Sequence, residues 1–307
     1  MRQARILILR GGAVGDFIVT LPALQALRNQ WPDAYIELIG YPHVASLAKH
    51  AGLIDHLRSL DEARIARYFA WNAVLDDEEQ NYFASFDIVL NYLHDPEGTL
   101  NTNLKRFGVQ VLISASPMVS EYHAVDHFTR PLQSLAIYDA PAYPSLRMNP
   151  AGVTLRHTPA NPWIAIHPGS GGKSKCWPVN HYIELAEWFR MQSKLIPVFL
   201  TSDVETEYIP EIDRLLAPYH RLHNLDLVTL AGTLTSARLF IGNDGGITHL
   251  AAALGCPTLA LFGPSDPNLW SPRGLKVTII QSENRRMESI TLAEVMEKAG
   301  RLLGLDV

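Results

Sequence analysis

The chain has 307 residues and a net charge of −5 (26 Lys and Arg against 31 Asp and Glu), a length that suits two cores of about 150 residues better than one. With 47% hydrophobic and 19% charged residues it is not a disordered chain, and its negative balance argues against a nucleic-acid groove, which needs a clustered basic stripe. Only Cys176 and Cys256 occur, far apart in sequence; they give no disulfide framework and fit a reducing compartment.

The first apolar run before Arg10 is too short for a secretory segment, and no stretch has the 18 apolar residues of a membrane span. The expected location is cytoplasmic, with at most peripheral membrane contact. Arg5 to Arg10 (RILILR) reads as a buried strand, followed by the turn Gly11-Gly12-Ala13-Val14-Gly15-Asp16 and an amphipathic helix carrying Phe17, Leu21, Leu24 and Leu27. Further strands are expected at 35–39, 88–92 and 109–114, with helices at about 43–51 and 61–84.

Prolines 141, 144, 150, 159 and 162 then mark a linker at about 145–161. Beyond it, strands are expected at 163–167, 196–200, 239–242, 258–262 and 277–280, alternating with helices near 179–193, 205–217, 246–254 and 291–303. Two βαβ domains follow from this alternation, with ligands expected at the C-terminal ends of their strands.

Three strand-to-helix turns carry the chemistry. In the first, Asp16 stands in the opening turn of a helix, where a carboxylate is favoured in its ionised form. That turn is not a dinucleotide fingerprint: the G-x-G-x-x-G spacing would need glycine at Arg10, and no ribose-binding acid ends the second strand. In the second, His167-Pro168-Gly169-Ser170-Gly171-Gly172-Lys173-Ser174-Lys175 offers backbone and hydroxyl donors with two lysines, a set suited to a diphosphate. In the third, Asn243-Asp244-Gly245-Gly246 precedes a small-residue helix whose first N–H groups form an anion site. Thr201-Ser202-Asp203-Val204-Glu205 adds a carboxylate after a strand end, in reach of ribose hydroxyls.

The segments RILILRGGAVGDFIVTLPALQALR, IAIHPGSGGKSKCWP and FIGNDGGITHLAAALGCPTLALFGPSDPNLW, with HAVDHFTRPLQSLAI before the linker, together resemble glycosyltransferase family 9 over nearly the whole chain. This is the heptosyltransferase family of lipopolysaccharide core assembly. The resemblance implies an α/β GT-B fold: two Rossmann-like domains with an interdomain cleft, an acceptor-binding one over 1–150 and a nucleotide-sugar-binding one over 151–307.

It further implies Asp16 as catalytic base, with Gly12 and Ala13 beside the acceptor, and Lys175 as the ligand of the leaving diphosphate. His167, Gly169, Ser170, Lys173, Asp244, Gly245, Gly246 and His249 would complete the donor site, and Glu205 would hold the ribose. The implied partners are a nucleotide-diphosphate sugar, ADP-heptose, and a glycan or glycolipid acceptor. No cofactor is implied, and no D-x-D run is placed to hold a metal. Residues 91–98 depart from the family pattern where acceptor contacts are expected.

Plainer roles stand beside these. Asp16 could only complement a helix dipole, Lys173 could replace Lys175, Asp244 and its glycines could be a cap and tight turn, and Glu205 could cap a helix. His167 and His249 could be structural. His123 and His127, at i and i+4, have zinc-compatible spacing but lack a third ligand; Cys176 reads as packing, and Asp76 to Glu79 as a solvated helix face. Trp177, Phe240, Phe262 and Trp270 read as core. Other functions on this frame are transfer with a different donor or acceptor, nucleotide-sugar epimerisation, and non-catalytic nucleotide-sugar binding; NAD-dependent oxidation is disfavoured by the failed fingerprint.

Overall fold

The structure is a computed structural model and describes residues 2–148, 159, 161–203 and 212–305. Most of the expected linker, and Glu205, lie outside the described residues. The chain packs as two units, Met1–Tyr143 and Pro144–Val307, each with its own sheet.

The first unit holds β1 (Arg5–Arg10), β2 (Tyr35–Gly40), β3 (His56–Ser59), β4 (Ile88–Asn91) and β5 (Leu112–Ser114) in the order β3-β2-β1-β4-β5. Every pairing is parallel. A parallel sheet is covered on both faces by its crossover helices, so its central strands must be apolar on both sides. Ile6, Leu7, Ile8 and Leu9 of β1 meet this requirement and are buried.

The second unit holds β6 (Trp163–His167), β7 (Ile196–Thr201), β8 (His220–His223), β9 (Phe240–Asn243), β10 (Thr258–Phe262) and β11 (Val277–Gln281). Their order is β11-β10-β9-β6-β7-β8, again all parallel. In each unit the chain winds outward from a central strand, then returns to that strand's other side. The loops leaving β1 and β4, and those leaving β6 and β9, therefore diverge and open a crevice at the strands' C-terminal ends. Register places Leu9 opposite Asn91 and His167 opposite Gly242 at these two openings.

Several elements differ from the sequence expectation. The helix expected over 61–84 is two helices, Ala63–Arg67 and Asp77–Ala84, separated by a turn in which Asn72 has φ +52°. The strand expected over 109–114 shortens to Leu112–Ser114. β3 (HLRS) and β8 (HRLH) were not anticipated; each is a short, polar edge strand, a composition that protects a sheet edge but carries no hydrophobic signature. The run Asp76 to Glu79 is not a uniformly solvated face. Asp76 caps its helix by accepting from Glu79 N, and the Glu79 carboxylate is buried against Arg67 and the Tyr68 hydroxyl. Trp177, Phe240 and Phe262 are core, whereas Trp270 is only half-buried. Among the described residues no helix is long and apolar enough to cross a membrane.

Since Ile8 is fully buried in the central strand, Ile8→Ala should cost about 2–5 kcal/mol, while Leu275→Ala, at a residue 82% exposed, should stay within about 0.5 kcal/mol. Chemical denaturation of both variants checks this pair.

Candidate active site

At the opening of the second sheet, the residue that organises the loops is Asn243, the last of β9, whose side chain is fully buried. Its Oδ1 accepts from Trp177 N at 3.0 Å and from the Tyr182 hydroxyl at 2.8 Å; its Nδ2 donates to Pro168 O at 2.8 Å and Gly169 O at 3.1 Å. A buried carboxamide needs partners for all its groups, and here three bonds tie the loop after β6, and a fourth the helix Val179–Gln192, to the end of β9. Ser170 adds a fifth tie, its hydroxyl donating to Asp244 O at 2.5 Å. Trp177, also buried, anchors the far end of the loop by donating from Nε1 to Ile290 O at 2.9 Å.

This frame brings Lys175 to Asp244. The ammonium Nζ lies 2.8 Å from Asp244 Oδ2; the carboxylate side chain is 8% exposed and the lysine 40%. The buried member thus has its charge matched, while the ammonium keeps donors turned to solvent. Gly245 follows as the N-cap of helix Gly246–Ala253, in extended backbone, and the leading N–H groups of that helix have no intrahelical acceptor. His167 ends β6 and His249 lies in the first turn of the helix; both are buried. Lys173 sits on the same short turn as Lys175 (Lys173–Lys175) but is exposed. The described part of the 201–205 segment has Thr201 Oγ1 at 3.0 Å from His223 Nδ1 and Asp203 Oδ1 at 3.2 Å from His223 Nε2.

At the opening of the first sheet, Gly12, Ala13 and Asp16 come together. Asp16 is half-buried in the short helix Val14–Ile18, and its Oδ2 accepts from Ala13 N at 3.0 Å. Gly12 has φ +96°, and a Cβ there would lie 2.9 Å from Asp16 Cβ and 3.1 Å from Oδ2. Glycine at this position is therefore what leaves room for the carboxylate.

Beneath the turn lies Arg10, almost fully buried at the end of β1. Its Nε donates to Thr20 Oγ1 at 3.0 Å, its terminal N–H donates to the Asp16 carbonyl at 2.5 Å, and its guanidinium covers the Phe128 ring at 4.4 Å. Thr20 donates to the same carbonyl at 2.9 Å. Burial pulls the Arg10 guanidinium down to about 10, opposed by the charge of Asp16. Sequence reasoning missed the role of Arg10 and read Asn243 only as the first residue of a turn. The available signal was a polar residue closing an apolar strand, which must find buried partners.

The zinc-spaced histidines are each bonded to the main chain. His123 Nδ1 accepts from Val125 N at the start of helix Ala124–Thr129, and His127 Nε2 lies 2.6 Å from Ser116 O. Cys176 packs with its Sγ 3.5 Å from Gly172 O.

The model described as glycosyltransferase family 9 (heptosyltransferase) matches residues 103–299, more than half of the chain. The chain belongs to glycosyltransferase family 9. It is 26% identical over 298 residues to lipopolysaccharide heptosyltransferase 1 of Pseudomonas aeruginosa, an alignment covering 88% of this chain and 81% of that one. In fold, this family 9 chain is similar to the family 9 glycosyl transferase of Veillonella parvula, with TM-score 0.77 and 19% identity over 98% of this chain and 97% of the other. It is similar also to the E. coli heptosyltransferase WaaC with ADP, with TM-score 0.72 and 18% identity over 97% and 99% of the two chains. Membership of family 9 makes the protein a glycosyltransferase, and its two parallel sheets are the two Rossmann-like domains of a GT-B fold.

The geometry around Gly12 makes a direct prediction. Gly12→Ala places a methyl against Asp16 in a backbone conformation that L-residues disfavour by about 1–2 kcal/mol. The variant should melt at a lower temperature and lose transferase activity by more than the melting shift explains, which a parallel thermal and kinetic comparison measures.

Proposed function

We propose that this glycosyltransferase moves heptose from ADP-heptose to a lipopolysaccharide-core or related cell-surface glycan, with inversion and without a metal, at the cytoplasmic face of the membrane. The observation that carries the reading is the Lys175–Asp244 pair at the C-terminal end of the second sheet. Support for the donor comes from the family relatives, one named as a lipopolysaccharide heptosyltransferase and one solved with ADP.

Inversion is a single displacement and needs no covalent nucleophile. It needs the acceptor hydroxyl to lose its proton and the diphosphate to leave. In this reading Asp16 accepts the proton; a positioned general base contributes roughly 10²–10⁴ in rate. Arg10 and Thr20, which hold the Asp16 carbonyl, keep the base in place. Gly12 and Ala13 border the acceptor.

Lys175 meets the diphosphate. The Asp244 carboxylate orients its ammonium, and the N–H groups opening helix Gly246–Ala253 add further donors. Each donor aimed at developing charge can supply about 3–4 kcal/mol, so these groups do the work that a divalent ion does elsewhere. His167, Gly169, Ser170, Lys173, Gly245 and His249 surround the donor, and Glu205 is assigned to the ribose hydroxyls.

Two variants separate the roles. Asp16→Asn should lower kcat by at least about 100-fold with the ADP dissociation constant unchanged, whereas Lys175→Ala should weaken ADP binding measured by calorimetry. Wild-type turnover should persist in EDTA. Unchanged turnover in the first variant, or unchanged ADP affinity in the second, removes the corresponding assignment.

A further inference from the structure

The first unit carries an open depression of about 520 Å³ that runs from the start of β1 to the end of β3 and the turn after it, lined by, among others, Arg5, Tyr35, Glu37, Arg58, Glu62 and Tyr82. Alternation along the parallel strands places Arg5, Tyr35, Glu37 and Arg58 on one face of the sheet, the face that also carries Leu7, Leu9 and Ile39. Charged groups on an otherwise apolar face of a parallel sheet require a reason.

The Arg5 guanidinium is clamped between two rings, 4.5 Å from the Tyr35 centroid and 4.9 Å from that of Phe86. Among the described residues its side chain has no hydrogen bond or ion pair, and its Nε is buried without an acceptor. Arg58, with a side chain 12% exposed, lies 4.6 Å over the Tyr82 ring, and its Nε is likewise buried without an acceptor. Its ion-pair partner Glu62 accepts from it at 3.3 Å and more closely, at 2.6 Å, from Arg64. Stacking on aromatic rings fixes a guanidinium in place but leaves its N–H fork open for an oxygen ligand.

The floor of the pocket has a different character. Glu37 is 3% exposed and accepts from the Tyr35 hydroxyl at 3.0 Å and the Tyr82 hydroxyl at 2.6 Å. A carboxylate and two phenols beside the open fork of Arg5, and beside Arg58, which also donates to Glu62, match hydroxyls beside a phosphate. The depression is open to solvent and leaves room for more than a lone phosphate.

We propose that this pocket binds a phosphate-bearing sugar, with Arg5 and Arg58 on the phosphate and Glu37, Tyr35 and Tyr82 on the hydroxyls. Arg5 opens β1, five residues before Arg10 and thus roughly 17 Å along the strand from its C-terminal end, whereas Arg58 is in register with Ile39 and Leu9 near that end. The site uses none of the residues assigned to the transfer chemistry.

Calorimetric titration of the full chain with glucose 6-phosphate, inorganic phosphate and glucose tests the proposal. Glucose 6-phosphate should bind more tightly than either of the others. Its affinity should fall roughly tenfold or more in Arg5→Met and in Arg58→Met, the loss expected for a charge-assisted hydrogen bond. Arg5→Lys, which keeps the charge without the fork, should lose less and serves if the methionine variant does not fold. Binding should persist in Lys175→Ala. Equal affinity of the wild type and both methionine variants overturns the site, as does complete loss in Lys175→Ala. Equal affinity for phosphate and glucose 6-phosphate overturns the assignment to a sugar.

Discussion

The four hydrogen bonds of one buried carboxamide, Asn243, determine where the charged groups of the second unit stand. Together with the Ser170 bond to Asp244 O and the pairing of β6 with β9, they fix the loop after β6 against the end of β9 and so bring Lys175 to Asp244. The cost of stripping water from the carboxamide is offset only because every one of its donors and acceptors finds a partner. That requirement makes the loop position unique. It also explains why the surrounding anchors, Trp177 and Tyr182, are large, buried and polar at one end.

The first unit solves the same problem with a charge. Arg10 closes an apolar strand, is buried, and spends its N–H groups on the Asp16 carbonyl and on Thr20. Among the described residues the side chain of Asp16 is hydrogen-bonded only to Ala13 N, while its backbone carbonyl is held from below. A carboxylate whose main chain is rigid and whose oxygens are half-buried can be ordered without being consumed by the fold. Gly12 completes the arrangement, since a Cβ at that backbone angle would crowd Asp16 at 2.9 Å.

Much of this was legible in the sequence. The central strands declare themselves as apolar runs, and Asp16, Lys175 and Asp244 stand at glycine-rich strand ends where doubly wound sheets place their ligands. What escaped was tertiary. Asn243 reads as the first residue of a turn, although it is the last of a buried strand; nothing local says that its partners lie 61 to 75 residues away. β3 and β8 escaped because edge strands are polar by necessity. Glu79 was read as solvated since its neighbours are acidic, yet Arg67 and Tyr68, brought over it by the broken helix, give it a buried partner set. In each case the deciding contact joins elements that sequence periodicity treats separately.

The reading of this family 9 chain as a transferase from ADP-heptose rests on two demands being met together, a base for an acceptor and a cation for a leaving diphosphate. ADP release from ADP-heptose, followed with and without a heptose-free lipopolysaccharide acceptor, tests both at once. The account predicts that ADP appears only with acceptor present, in step with heptose added to the glycan by mass spectrometry. Equal ADP release without acceptor, or conversion of the nucleotide sugar to an epimer, would contradict it.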